Sequence, residues 1–257
     1  MIRYAVFGSG SDANAYLFNY QGVSIMVDNG FTLKELGKRA GELRIDLCEV
    51  QALFLSHTHA DHVKGVGPFA RSYNVPVYHH REVDLSAYQR KRKSIEGILV
   101  SPGSSYQVGP FSVMPFATHH DCDHSINFLI TAGSRHMLII TDTGYLCDYM
   151  TGLIPQADLL FLEANYEPSM LMEGPYPYHL KRRIASNEGH LSNDAAIDAL
   201  NNLPPAHRLS QVYLCHLSAV NNSVEVLTGR LRMELASSIP VCVCARGQTA
   251  SGSIPSL

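Results

Sequence analysis

The chain reads His57-Thr58-His59-Ala60-Asp61-His62 directly after a short apolar run, Ala52-Leu53-Phe54-Leu55. Three imidazoles and one carboxylate within six positions narrow what can surround them. An apolar strand that stops and hands over to clustered nitrogen and oxygen donors is how a chain builds a rigid metal site. Imidazoles two positions apart in an extended loop face the same side, so His57 and His59 are candidate ligands of one ion. Asp61 and His62 follow at once and are candidates for a second.

The same layout recurs further on. An apolar run over 111–118 ends at His119-His120-Asp121, one over 137–140 at Thr141-Asp142-Thr143-Gly144, and one over 212–215 at His216. A lone His after a strand usually caps or bonds locally. Several strands ending in His or Asp point instead to ligands gathered at neighbouring strand ends, where a rigid backbone fixes their positions.

The rest of the chain bounds the reading. With 257 residues, 46% hydrophobic and 17% charged, it can bury a sizeable core as one globular domain over 1–257. No run approaches the roughly 18 apolar residues of a membrane span, and the N-terminus lacks a signal-peptide layout, so a cytoplasmic protein without membrane contact is expected. The six cysteines are scattered at 48, 122, 147, 215, 242 and 244, several of them inside apolar runs, and read as reduced core thiols. A net charge of −3 offers no overall attraction to nucleic acid. Such binding would rest on local runs, Arg90-Lys91-Arg92-Lys93 and Lys181-Arg182-Arg183, with Tyr73, Tyr78 and Tyr88 near the first as candidate base-stacking groups.

Hydrophobic periodicity and turn residues predict strands over 4–7, 15–20, 24–27 and 52–55, with a helix capped by Thr32 between the last two. Helices over 60–72 and 81–93 follow, then strands over 97–100, 111–116, 126–130 and 137–140. The remainder alternates: strand 158–162, helices near 170 and 181, helix 192–203, strand 212–215, helix 223–235 and strand 241–243. Two batches of strands carry helices at similar positions, which predicts an α/β fold of two face-to-face sheets with helices outside.

On these residues the chain resembles the metallo-β-lactamase superfamily along nearly its full length. The resemblance implies an αββα sandwich and two divalent ions, zinc or manganese, with iron also admitted. It implies one ion held by His57, His59 and His120, a second by Asp61, His62 and His216, and Asp142 bridging them. His119 is the rival for the third position; His120 is preferred because His-Asp there looks like the nuclease members. Asp28, in Val27-Asp28-Asn29-Gly30, matches the superfamily's structural Asp that supports the His loop.

Further segments narrow the substrate. Gly8-Ser9-Gly10-Ser11-Asp12-Ala13-Asn14 is either a plain hairpin loop or one that presents Ser9, Ser11 and Asn14 to a phosphate. Phe161-Leu162-Glu163-Ala164-Asn165 and Gly189-His190-Leu191-Ser192-Asn193 resemble paired motifs of the ribonuclease Z branch. In that branch the Glu holds the His, and the His protonates the leaving oxygen of a phosphodiester. The overall match is to the YycJ/VicX-like branch, also called WalJ, regarded as DNA exonucleases. Family members usually carry His-Asp after Glu-Ala-Asn, where this chain has Tyr166-Glu167. The resemblance thus implies a 5′ to 3′ DNA exonuclease, or a close variant acting on RNA, with His190, Glu163 and Asp61 catalytic and Asn193 near the substrate. The alternatives are a thioesterase or lactonase on the same metal core and a non-catalytic regulatory protein. Oligomeric state is not legible.

Overall fold

The computed structural model describes residues 1–88, 94–122 and 124–256. Strands follow in the order β1 (Ile2–Gly8), β2 (Ala15–Tyr20), β3 (Val23–Val27), β4 (Val50–Phe54), β5 (Val77–His80), β6 (Gly97–Val100), β7 (Tyr106–Val108), β8 (Phe111–Ala117), β9 (Ile126–Ala132), β10 (Arg135–Ile140), β11 (Leu159–Glu163), β12 (Gln211–Cys215), β13 (Val241–Val243) and β14 (Ala250–Ile254). The helices are α1 (Leu33–Glu42), α2 (Ala60–Val63), α3 (Val66–Tyr73), α4 (Asp148–Leu153), α5 (Pro168–Glu173), α6 (Tyr178–Ile184), α7 (Asn193–Asn201) and α8 (Val224–Glu234). The strands make two seven-stranded mixed sheets. The chain forms two compact units. Met1–Ala117, Cys122–Ser134 and the segment from Gly247 onward make the first, and Thr118–Asp121 with Arg135–Arg246 make the second.

The first unit holds a whole sheet in the order β14-β1-β2-β3-β4-β5-β6. A two-residue turn with positive φ at Gln21 (53°) and Gly22 (77°) joins β2 to β3 as a tight hairpin. From β3 to β6 the pairing is parallel, so the C-terminal ends of β3, β4 and β5 share one sheet edge. Asp28 and the His57 loop leave from that edge. One face packs under α1 and α3, where Leu36, Ala40, Val66, Phe69 and Ala70 meet Met26, Leu53, Leu55 and Val77. Phe54 alternates to the other face and meets Phe128 of β9 edge-on at 5.8 Å, while Tyr20 meets Phe111 of β8 at 6.4 Å. Sheet on sheet, with helices outside, is therefore built within this unit.

Two expected helices differ here. The one over 60–72 is broken into α2 and α3 at Gly65, whose N–H donates to the Asn29 carbonyl at 2.8 Å. A Cβ at Gly65 would lie 1.9 Å from the Phe31 carbonyl oxygen, so the approach of the Asp28 loop demands glycine and interrupts the helix. Of the one expected over 81–93, the described residues 81–88 hold a short 3₁₀ turn at Leu85–Tyr88; Val83 and Leu85 are both buried, a two-residue spacing that does not match one face of a helix. Residues 89–93, with the Arg90–Lys93 run, lie outside the described residues. Of the tyrosines expected to stack on bases, the Tyr88 side chain also lies outside what is described, Tyr78 stacks on Phe54 at 4.5 Å and Tyr73 on Phe69 at 4.6 Å; the last two therefore serve the core edge rather than an open stacking surface.

The second unit carries β10, β11, β12 and β13, all parallel. Every residue of β11 is buried, as expected for an inner parallel strand covered on both faces. Ser192 caps α7, its Oγ accepting the Ala195 N–H at 3.1 Å, and Ser223 caps α8 through the Val226 N–H at 3.1 Å. β10 leads to Asp142, β11 ends at Glu163 and β12 leads to His216, so all three parallel strands point an acid or an imidazole from the same edge.

The cysteines are unpaired by disulfides, but only Cys215 and Cys244 are buried, their sulfurs 3.4 Å apart. Cys48 and Cys242 are exposed, because they sit on a 3₁₀ turn and on the outward side of the short β13. Among the described residues no helix is long and apolar enough to cross a membrane.

Candidate metal centre

In the first unit the site starts from Asp28, buried and directly after β3. Its Oδ1 accepts the Ser56 N–H at 2.8 Å, and its Oδ2 accepts the Ser56 hydroxyl at 2.7 Å and lies 2.8 Å from His62 Nδ1. Ser56 Oγ is in turn 2.9 Å from His57 Nδ1. The protons follow from this pattern. The Ser56 hydroxyl gives its hydrogen to Asp28, so it accepts one from His57 Nδ1, and the Asp28 carboxylate accepts another from His62 Nδ1. Both rings then carry their lone pair on Nε2, the tautomer a metal requires. The rings are close: His57 lies 4.1 Å from His62 and 4.7 Å from His59 between centroids. Asp61 Oδ2 lies 3.4 Å from His62 Nε2.

In the second unit His120, 9% exposed, directs Nδ1 to the Gly189 carbonyl at 3.1 Å. A carbonyl only accepts, so the proton is on Nδ1 and the lone pair is on Nε2, which lies 3.7 Å from Asp142 Oδ1. His216 Nε2 lies 3.5 Å from the same oxygen. His119 points elsewhere: its Nε2 is 3.1 Å from Tyr145 Oη and its ring stacks on that tyrosine at 4.4 Å. Donor atoms of Asp142, Glu163, His190 and His216 all lie within 4.8 Å of one another.

Glu163 organises this cluster. Fully buried, its Oε1 takes His190 Nδ1 at 2.7 Å and His216 Nδ1 at 3.0 Å, and its Oε2 takes the N–H groups of Thr143 at 2.9 Å and Leu191 at 3.3 Å. Burial pushes this carboxyl up, but the charges and hydrogen bonds of His190 and His216 outweigh burial and hold it well below the carboxylate range. Burial likewise would lower His190, and the Glu163 carboxylate overcomes it and raises the ring above its ordinary value.

One backbone device recurs. Asp28, Asp142 and His216 each follow a strand and each has a left-handed φ, of 58°, 55° and 58°. Asp and His tolerate this region better than most residues, yet it still costs on the order of 1 kcal/mol each. Strain repeated at three strand exits turns each side chain off the strand and is characteristic of functional sites.

The donor set fits a divalent cation. Imidazole lone pairs fixed on Nε2 beside carboxylate oxygens suit zinc and also admit manganese or iron.

The substrate-facing expectations need correction. Ser9 is buried, 3.0 Å from Tyr16 Oη. Asn14 is fully buried: it closes its own loop on Gly10 at 2.9 and 3.0 Å, and its Nδ2 lies 3.1 Å from Asp61 Oδ2 and 3.0 Å from His62 Nε2. Asn193, also fully buried, bonds Glu167 at 3.0 Å and Asn222 at 3.1 Å. Their amides and hydroxyl are committed to protein groups, so they brace loops; of the four, Ser11 alone is exposed. Glu167, in the Tyr166-Glu167 pair that stands where family members usually carry His-Asp, receives Arg230 at 3.0 Å. Sequence reasoning missed Ser56 and Asn165, whose Nδ2 donates to the His216 carbonyl at 2.8 Å. The signal for Ser56 was adjacency to His57, and for Asn165 its place in the Glu163-Ala164-Asn165 motif, which gave it no role of its own.

Residues 24–217 match the family model of the beta-lactamase superfamily domain. The chain belongs to that superfamily. Among curated superfamily relatives, exodeoxyribonuclease WalJ of Streptococcus pneumoniae is 29% identical over 240 residues, covering 92% of this chain and 89% of its own. Exodeoxyribonuclease YycJ of Bacillus anthracis is 31% identical over 228 residues, covering 88% and 86%. Among solved structures, the metallo-β-lactamase fold protein YhfI of Bacillus subtilis superposes with a TM-score of 0.74 at 22% identity, covering 98% of this chain and 99% of that one. Human short-form tRNase Z gives 0.65 at 16% identity with 98% and 99% covered. The two mixed sheets with flanking helices are the metallo-β-lactamase fold that such neighbours have.

Proposed function

We propose that this superfamily member is a metal-dependent exodeoxyribonuclease that shortens DNA from a 5′ end by hydrolysing phosphodiester bonds. The observation that carries the reading is likeness over about nine-tenths of both chains to exodeoxyribonucleases WalJ and YycJ. The His190–Glu163 pair among the candidate ligands supports it, since a phosphodiesterase needs a proton donor for its leaving oxygen. We read the two units as parts of one domain, because the family match spans residues of both.

The proposed ligand sets follow the superfamily pattern: His57, His59 and His120 for one ion, Asp61, His62 and His216 for another, and Asp142 shared. When bound, two divalent ions offset charge on the phosphoryl oxygens and lower the pKa of the attacking water. The residues of the chain do the rest. Asp28 and Ser56 keep His57 and His62 in the ligating tautomer, and Glu163 and the Gly189 carbonyl do so for His216 and His120. Asp61 orients the water for attack. Glu163 stabilises the protonated form of His190 through Nδ1, which leaves the Nε2 proton for the departing oxygen.

The test is degradation of 5′-labelled and 3′-labelled DNA strands with Mn²⁺ or Zn²⁺ supplied. Early release of short labelled products from the 5′-labelled strand supports the reading. Intact DNA under each metal sinks it, and cleavage of RNA alone would move the substrate to ribonucleotides.

A further inference from the structure

Helix α6 is unusual in that none of its seven residues is buried. Short helices are marginal without a packed face, so something other than core burial holds it. Its C-terminal end supplies the anchor. The Ile184 carbonyl accepts the His190 N–H at 2.9 Å, and Gly189 N–H donates to Ser186 at 2.9 Å. A Cβ at Gly189 would lie 2.1 Å from the Ile184 oxygen, so this approach is closed to any other residue. Arg183 forms an ion pair with Asp121, the neighbour of His120, and Lys181 Nζ donates to the Met172 carbonyl at 2.6 Å. The helix is thus fastened to the backbone of His190 and to the loop of His120.

Two of the three cations in the Lys181-Arg182-Arg183 run are therefore used within the protein. What remains points outward. Tyr178 is 67% exposed, and Arg182 lies one helical turn on, at i+4, on the same face. Neither side chain makes a hydrogen bond, ion pair or ring contact with a described residue. An exposed aromatic ring and a guanidinium side by side are the pair that holds a single nucleic-acid strand, the ring stacking on a base and the cation meeting a phosphate.

We infer that α6 is the surface on which the DNA strand lies beside His120 and His190, with Tyr178 stacking on a base and Arg182 contacting a backbone phosphate. The inference rests on the nuclease reading and adds the strand-holding element to it. Charge complementarity and continuity with His120 and His190 select DNA as the occupant.

The experiment is fluorescence anisotropy with a fluorescein-labelled, phosphorothioate-linked thymidine oligonucleotide across a range of KCl concentrations. Arg182→Ala is expected to weaken binding about five- to tenfold and to flatten log affinity against log salt by about 0.7, the share of one phosphate contact on a single strand. Arg182→Lys is expected to keep the wild-type slope. Tyr178→Ala is expected to weaken binding about five- to tenfold with the slope unchanged, and Tyr178→Trp to restore it. Variants that bind with wild-type affinity and slope overturn the inference, as does a wild-type protein that does not hold the strand. If wild type degrades DNA while the α6 variants bind like it, the inference fails and the nuclease reading stands. If binding depends on Tyr178 and Arg182 but no DNA is cleaved with Mn²⁺ or Zn²⁺, the nuclease reading fails and α6 stands as a strand-binding surface.

Discussion

Asp28 shows how much one buried side chain can decide. Through Ser56 and directly, it sets the proton on two imidazoles, His57 and His62, that are otherwise free to choose either tautomer. Asp28→Ala is expected to lower metal affinity about 10- to 100-fold, the usual effect of losing a group that orients a ligand, with metal content per chain as the readout. His190 should behave differently. His190→Ala is expected to keep its metal but slow DNA hydrolysis by about 10²–10⁴. A variant that loses its metal, or one that cleaves at the wild-type rate, would remove His190 from the proton-donor role.

At the scale of elements, the parallel strands carry the chemistry at their ends and the intervening segments decide its spacing. The 183–190 segment is one case, because the glycine that touches the α6 carbonyls also offers its own carbonyl to His120. Gly189→Ala should part α6 from His190 and lower activity more than stability, checked by comparing kcat with the urea midpoint. Strand β5 offers a second case. His79 is 5% exposed within it, and burial lowers its pKa, partly opposed by its bond to the His80 carbonyl at 3.0 Å. The fold therefore disfavours the protonated ring, while the unfolded chain protonates near its ordinary value of about 6.5. Its contribution is full above that pH and is lost as pH falls through the lower folded value. The urea midpoint of His79→Leu should accordingly change less than that of wild type between about pH 7.5 and 5.5. Equal slopes for the two proteins would count against it.

At the scale of the whole molecule, the clustered carboxylates and imidazoles predict that stability depends on metal. A ligand that binds only the folded chain stabilises it by about 4 kcal/mol at a thousandfold over its Kd. For a chain of this size that corresponds to about 8–16 °C in the thermal midpoint. Chelation followed by calorimetry should reveal a fall of that order together with loss of nuclease activity. A midpoint unmoved by chelator would argue that the clusters hold no ion.

Much of the site was legible in the linear chain because each candidate ligand follows an apolar run, and strand ends announce themselves through hydrophobic patterning. His57, Asp142 and His216 became candidates that way. The short strands β5, β7 and β14 escaped notice because their few residues carry little pattern of their own and are fixed by pairing with distant neighbours. The break at Gly65 escaped for a related reason, since only the returning Asp28 loop makes a side chain impossible there. Local sequence thus determined which residues have metal-binding chemistry and which strands deliver them. Tertiary structure alone decided which ring nitrogen carries each proton, that His119 turns to Tyr145, and that Asn14 and Asn193 are bracing groups sealed from solvent. Those outcomes depend on hydrogen bonds between residues far apart in the chain, as from Asp28 to His62 or Glu163 to His216, and no local pattern encodes such partners.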